Sequence, residues 1–277
     1  MFKRTSREVN REHLINVPDS EVRKRSPNVH IACDETVDWY PKDTEELFLS
    51  SSDSHKKIWN DVEITYDINS YGFRSQEISS VPKRINITRD SSETEDSITV
   101  LGCSHTFGIG MPQEALWSTL LANKLNMPLH NFGVAGGSLD SAFRVFNEWQ
   151  PITKSKITCL LVPPGIRYEL NSGDHIYHRF KSFGSWFTDT NDYIDEVNQV
   201  ISKILFDDNL FHVNKCRNIA AIRHIAEKEF SDFFIIEAAE IFRKYSKQYD
   251  IARDGSHPGF KMHEIIANEF YEMINGK

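Results

Sequence analysis

The sequence predicts an α/β fold: a three-layer α/β/α sandwich with a short parallel sheet, preceded by an N-terminal extension. Three observations predict it. From about residue 95 onward, short apolar runs alternate with stretches of helical period. One of those runs, KITCLLV at 156–162, is apolar on both faces, as a parallel strand covered by helices on two sides must be. Residues 1 to about 60 are by contrast polar, with no sustained 3.6-residue repeat.

In chain order, the extension holds a short biased tract, Ser50, Ser51, Ser52, Asp53 and Ser54. VEITYDINSYGFRS, from Val62, alternates apolar and polar residues and reads as a strand and a turn containing Gly72. Arg74 in this turn is read as structural, bringing the arm against the core. RINITRDSSETED reads as an exposed loop, and the domain boundary is placed near residue 95, dividing an extension at 1–95 from a main domain at 96–277. SITVLG is then a strand. Ala115, Leu116, Leu120, Leu121 and Leu125 recur at helical spacing. PLHNFG is a second strand, and SLDSAFRVFNEW a second helix with Ser138 at its N-cap. After the third strand comes a polar, aromatic insertion at about 164–193. Helices are expected near 194–206 and 214–229, and a last one over about 260–274. The apolar run DFFIIEAAEIF suits either strand or helix.

At 277 residues, folding buries roughly three quarters of the unfolded chain's surface, enough for a large core without crosslinks. The 32 Lys+Arg against 40 Asp+Glu give a net charge of −8, which argues against a nucleic-acid partner. Cys33, Cys103, Cys159 and Cys216 form no C-x-x-C pair, so a reducing compartment is the simplest reading. The first 25 residues contain no apolar run that would serve as a signal peptide or membrane span, and a cytoplasmic protein is expected.

In open α/β sheets, ligands gather at the carboxyl ends of the strands. Three segments fall there or on the loop before the last helix. In GCSHTFG (102–108), Ser104 opens a helix near backbone N–H groups, a placement that suits a nucleophile generating an oxyanion and equally suits a helix cap. The segment is neither G-x-S-x-G nor a phosphate-binding loop. NFGVAGGS (131–138) offers backbone N–H groups without side chains in the way, although the same glycines also suit a tight turn alone. In DGSHPG (254–259), Asp254 stands three residues before His257, able to hold one ring nitrogen and leave the other free as a base. A solvated pair of surface residues is the plainer alternative. No metal-ligand cluster or dinucleotide fingerprint appears, so no cofactor is implied.

Together these segments resemble the SGNH (GDSL-type) hydrolase family over about 97–277. That family carries G-D-S-x-[ST]-x-G after the first strand, N-x-x-x-x-G after the second, G-x-N-D after a later one and D-x-x-H near the C-terminus. Here GCSHTFG, NFGVAG with Asn131 and Gly136, and DGSHPG follow in that order. The resemblance implies a flavodoxin-like SGNH fold, with Ser104 as nucleophile, His257 as base and Asp254 as its orienting partner. It further implies an oxyanion hole formed by the N–H groups of Ser104 and Gly136.

Two positions depart from the pattern. Cys103 replaces the family's usual Asp, and LLVPPGIRYEL stands where G-x-N-D is expected, so the oxyanion asparagine is missing. Loss of one such donor costs ~10² to 10³ in rate. Arg167 is the nearest substitute as donor or as a binder of a substrate anion; its alternative is an ion pair with Glu169 or another acid. His105 is expected at the surface or behind the site. Tyr168, Tyr177, His178, Phe180, Phe183, Trp186 and Phe187 would hang over the strand ends, to stack on a sugar, grip an acyl chain or pack on the body. The expected activity is hydrolysis of an acyl or acetyl ester on a small molecule or carbohydrate. O-acyl transfer through the same triad and non-catalytic carbohydrate binding are the rivals.

Overall fold

A computed structural model describes residues 35–75, 94–171, 180–184 and 207–276. Among the described residues of the extension, β1 (Glu35–Val37) comes first, followed by two short helices, α1 (Glu45–Ser50) and α2 (Asp53–Trp59), and by β2 (Tyr66–Ile68), antiparallel to β1. Neither helix was read from the sequence. Each is too short to show a hydrophobic period, and the biased serine tract supplies a cap. The Thr44 and Ser52 side chains accept from the backbone N–H groups of Leu47 and His55. Gly72 lies in the expected turn, where Asn69 Oδ1 accepts from the N–H groups of Tyr71 and Phe73.

The body begins with β3 (Glu95–Gly102), which takes in the end of the stretch read as loop; residues 76–93 lie outside the described residues. A single turn, α3 (Ser104–Phe107), follows directly and ends at Gly108 with φ 86°. Ala115 belongs to a 3₁₀ turn, and the helix proper, α4 (Trp117–Leu125), starts two residues later. Then come β4 (Leu129–Gly133), α5 (Leu139–Thr153) and β5 (Ser155–Val162). Ser138 caps α5 in a reciprocal box with Ser141.

Within the expected insertion, β6 (Arg167–Asn171) and β7 (Phe180–Gly184) form an antiparallel pair. Tyr177, His178, Trp186 and Phe187, and the helix expected at 194–206, lie outside the described residues. The next helix, α6 (Asp208–Lys228), begins six residues earlier than expected, because Asp207 caps it. The ambiguous apolar run divides: DFFIIE forms β8 (Asp232–Glu237), and α7 (Ala238–Lys244) follows at once. The last helix is α8 (Phe260–Asn275).

The main sheet runs β4-β3-β5-β8, all parallel. Alternate residues of each strand face opposite layers, as the pleat requires. Leu101, Leu160 and Val162 pack with Val145, Phe146 and Trp149 of α5 and with Ile222 and Ala226 of α6. Val100, Cys159 and Leu161 face Trp117 and Leu121 of α4, Ile241 of α7, and Ile266 and Phe270 of α8. Both faces are thus covered, and the fold is a three-layer α/β/α sandwich. Each large apolar side chain so buried contributes roughly 1.5–3 kcal/mol.

The extension packs into the body at the carboxyl end of β3. Tyr40, Trp59, Ile64, Tyr66 and Ile68 share a third cluster with Phe107, Ile109, Met111 and Leu116. Arg74, read as structural, is buried there and donates to the carbonyls of Thr65, Gly108 and Met111, stitching the arm to the loop behind Ser104.

Candidate active site

Ser104 is the first residue of α3, at the tip of β3; the residue in the cap position is Cys103, which makes no side-chain cap bond. The helix-cap alternative for Ser104 therefore does not describe it. Among the described residues, no acceptor meets the N–H of Ser104 or of Gly136. Gly136 follows β4, which lies beside β3.

The turn is held from below by β4. Asn131 is buried, its Nδ2 donating to the Thr106 carbonyl at 3.0 Å and its Oδ1 accepting from the Gly133 N–H at 3.0 Å. Gly133 lies so close beneath the turn that a Cβ there would stand 2.5 Å from the Phe107 nitrogen. Glycine is required by contact, since no side chain fits between strand and turn.

The loop between α7 and α8 brings Asp254 and His257 to the same place. His257 Nε2 lies 2.8 Å from Ser104 Oγ, and its Nδ1 lies 2.6 Å from Asp254 Oδ2. Asp254 Oδ1 also accepts from the His257 backbone N–H at 3.1 Å, and Oδ2 accepts from the Ser256 hydroxyl. Burial of Asp254 works to raise its pKa. The hydrogen bond to the His257 ring, the charge of that ring and the Ser256 hydroxyl outweigh burial and hold the carboxyl below its ordinary value. The Asp254 side chain is fully enclosed, whereas the His257 side chain is 16% exposed. A hydroxyl, an imidazole and a carboxylate thus stand in one hydrogen-bonded row, an arrangement able to remove a proton from the hydroxyl.

His105 is buried, not at the surface. Its ring packs against His257 and Phe242, and its Nδ1 has no partner among the described residues. Burial first, then the positive charges of His257 and Arg167, push its pKa well below the ordinary imidazole value. The ion pair considered for Arg167 does not form with Glu169, which is taken bidentately by Arg144 at 2.7 and 2.8 Å; Arg167 Nε donates to the Pro164 carbonyl at 2.9 Å.

Sequence reasoning missed Asp43, Tyr66 and Arg253, which form a buried polar group behind Asp254. Arg253 stands next to Asp254 in sequence, but nothing local marks a partner 210 residues away. Among the described residues, no group of three or more His, Cys, Asp or Glu side chains is placed to hold a metal ion, and no helix is long and apolar enough to cross a membrane.

No protein-family model and no curated protein matches the chain. Among solved structures it is similar to TesA, at 11% identity over 65% of this chain and 98% of that one, with a TM-score of 0.43. It is also similar to a member of the lipolytic protein G-D-S-L family from Veillonella parvula DSM 2008 (16% identity, 65% and 98% covered, TM-score 0.35). A third is the psychrotrophic esterase EstA from Pseudoalteromonas sp. (13% identity, 66% and 98% covered, TM-score 0.35).

Proposed function

We propose that this chain is a serine esterase of SGNH type, with residues 96–277 as the hydrolase-like unit and residues 1–95 as its extension. The observation that carries the reading is the row of hydrogen bonds from Ser104 Oγ through His257 to Asp254, at 2.8 and 2.6 Å, assembled from elements 153 residues apart.

In this reading His257 Nε2 takes the Ser104 proton as Oγ attacks the carbonyl carbon of an acyl or acetyl ester. The electron pair of the C=O bond moves onto oxygen, and that oxyanion accepts from the N–H groups of Ser104 and Gly136, with Arg167 as third donor. Collapse expels the alkoxide, which takes the proton from His257, and leaves an acyl group on Ser104. Water then repeats the sequence, giving its proton to His257 and its oxygen to the acyl carbon, so that the acid departs and Ser104 is restored. Asp254 remains ionised throughout and orients the ring. Its lowered pKa supports that role.

The test is labelling by a fluorophosphonate probe together with hydrolysis of p-nitrophenyl acetate. Both are expected in the wild-type chain and absent from Ser104→Ala. A wild-type chain inert to both rejects the reading.

A further inference from the structure

The loop that carries Asp254 and His257 is held by the N-terminal arm. Arg253 directly precedes Asp254, and its guanidinium is buried against Asp43. Nε lies 3.1 and 3.2 Å from the two carboxylate oxygens, and Nη2 donates to Oδ2 at 2.7 Å. Nη2 also donates to the Asp38 carbonyl at 2.8 Å, and the guanidinium lies 4.0 Å from the Trp39 ring centroid. The Arg253 carbonyl meets His55 Nε2 at 2.9 Å. Asp38, Trp39, Asp43 and His55 all belong to the arm.

The same network reaches the loop behind Ser104. The Tyr66 hydroxyl donates to Asp43 Oδ2 at 2.6 Å and accepts from the Gly110 N–H at 2.8 Å, while the Gly110 carbonyl accepts from the Arg253 N–H at 3.0 Å. Two loops that carry separate parts of the site are therefore tied to one carboxylate. The Asp43 side chain is fully enclosed and that of Arg253 is 7% exposed. Burying such a pair removes both charges from water, so it is a poor source of net stability. What it supplies is direction, because a planar guanidinium fork accepts a carboxylate in few orientations.

We propose that Asp43, Tyr66 and Arg253 are positioning residues, through which the N-terminal arm holds the Asp254–His257 loop in register with Ser104. The inference rests on the roles proposed above for Ser104, His257 and Asp254. Reaction rate is steep in the placement of reacting groups. Loosening the clamp therefore lowers kcat while leaving KM nearly unchanged.

The experiment uses the full chain with Asp43→Asn and, as a milder change that removes one hydroxyl, Tyr66→Phe. Three quantities are measured below the unfolding range of each variant: kcat, KM for p-nitrophenyl acetate, and the low-field proton NMR signal of the His257 Nδ1–H bonded to Asp254, identified by its loss in His257→Gln. In Asp43→Asn, kcat should fall at least ~10-fold with KM within about 3-fold, and the low-field signal should broaden or vanish. Tyr66→Phe should move both in the same direction by less. Folded variants that keep the signal and keep kcat within about 2-fold overturn the proposal. If Asp43→Asn does not fold, Tyr66→Phe decides on the same criteria. If wild-type protein shows neither turnover nor fluorophosphonate labelling, the esterase reading fails by itself. The NMR comparison then still decides: signal lost in the folded variants supports the clamp, and signal retained overturns it.

Discussion

The ring of His105 packs edge to face against that of His257, their centroids 5.4 Å apart and their planes at 69°. Burial, His257 and Arg167 all disfavour a charge on His105, so it stays neutral where His257 must cycle between its two forms. The proposed mechanism needs neutral His257, so kcat/KM should rise with pH on the acid side. Because His105 takes no part in that titration, the slope of log kcat/KM there should be about 1. A slope near 2 would show both rings titrating together and would refute a neutral His105. His105→Phe should keep the slope of the wild type.

Ser104→Ala and His257→Ala should each lower kcat by roughly 10⁴-fold or more, and the double variant should lose little beyond either single one, because the two act as a unit. Asp254→Asn should cost less if the backbone contacts of its loop still hold the ring. Esterase turnover that survives Ser104→Ala reassigns the nucleophile. Steady-state kinetics on the wild type and the four variants checks this.

Arg167 can be tested by separating kcat from KM. If it donates to the oxyanion, Arg167→Met should lower kcat by ~10²-fold with KM little changed. A rise in KM at constant kcat would instead assign it to binding an anionic group on the substrate.

Gly133→Ala places a methyl group against the Phe107 nitrogen and the Thr106 carbonyl carbon. Backbone cannot rotate aside as a side chain can, so the strand tip and the turn must separate. The expected cost is about 1–3 kcal/mol in urea unfolding. Turnover should fall as well, because the turn that moves bears Ser104. Unchanged stability would mean that β4 and the turn are not in contact.

His263 gives a pH dependence of stability. It is buried in α8, and its Nδ1 accepts from the Trp117 N–H at 2.9 Å, so its neutral form is built into the fold. Burial depresses its pKa to about 3 from the ordinary 6.5. Between those values the unfolded chain binds a proton that the folded chain refuses, so stability falls as pH drops from 6.5 toward 3. Thermal unfolding from pH 7 to pH 4 should show a steeper fall in Tm for the wild type than for His263→Asn, even though the variant starts lower for want of a good acceptor for Trp117.

Much of the body was fixed by pattern alone. Strands such as 155–162, apolar on both faces, have no stable place except between two helical layers, and two of the three blocks follow strands of the parallel sheet while the third lies on the loop before the last helix. Local chemistry likewise placed Asp254 three residues before His257, within reach of its ring. Short elements escaped because their signal is capping, not period: α1 and α2 each rest on one hydroxyl. The split of DFFIIEAAEIF into β8 and α7 was decided by pairing, since β5 offers a free edge that takes Asp232–Glu237 and no more.

Other relationships belong to the tertiary structure alone. Ser104 and His257 meet only because the α7–α8 loop passes over the carboxyl end of β3. Asp43 finds Arg253 because the arm packs against the same end of the sheet, and a sequence carries no local trace of a contact between residues 210 apart. Burial then sets the electrostatics: His105, expected at the surface or behind the site, is neutral because the fold encloses it, and Asp254 is held ionised because the fold surrounds it with donors. The sequence determined which groups were available and roughly where along the sheet each would stand. Distance, desolvation and charge, which decide what those groups can do to one another, are properties of the assembled chain.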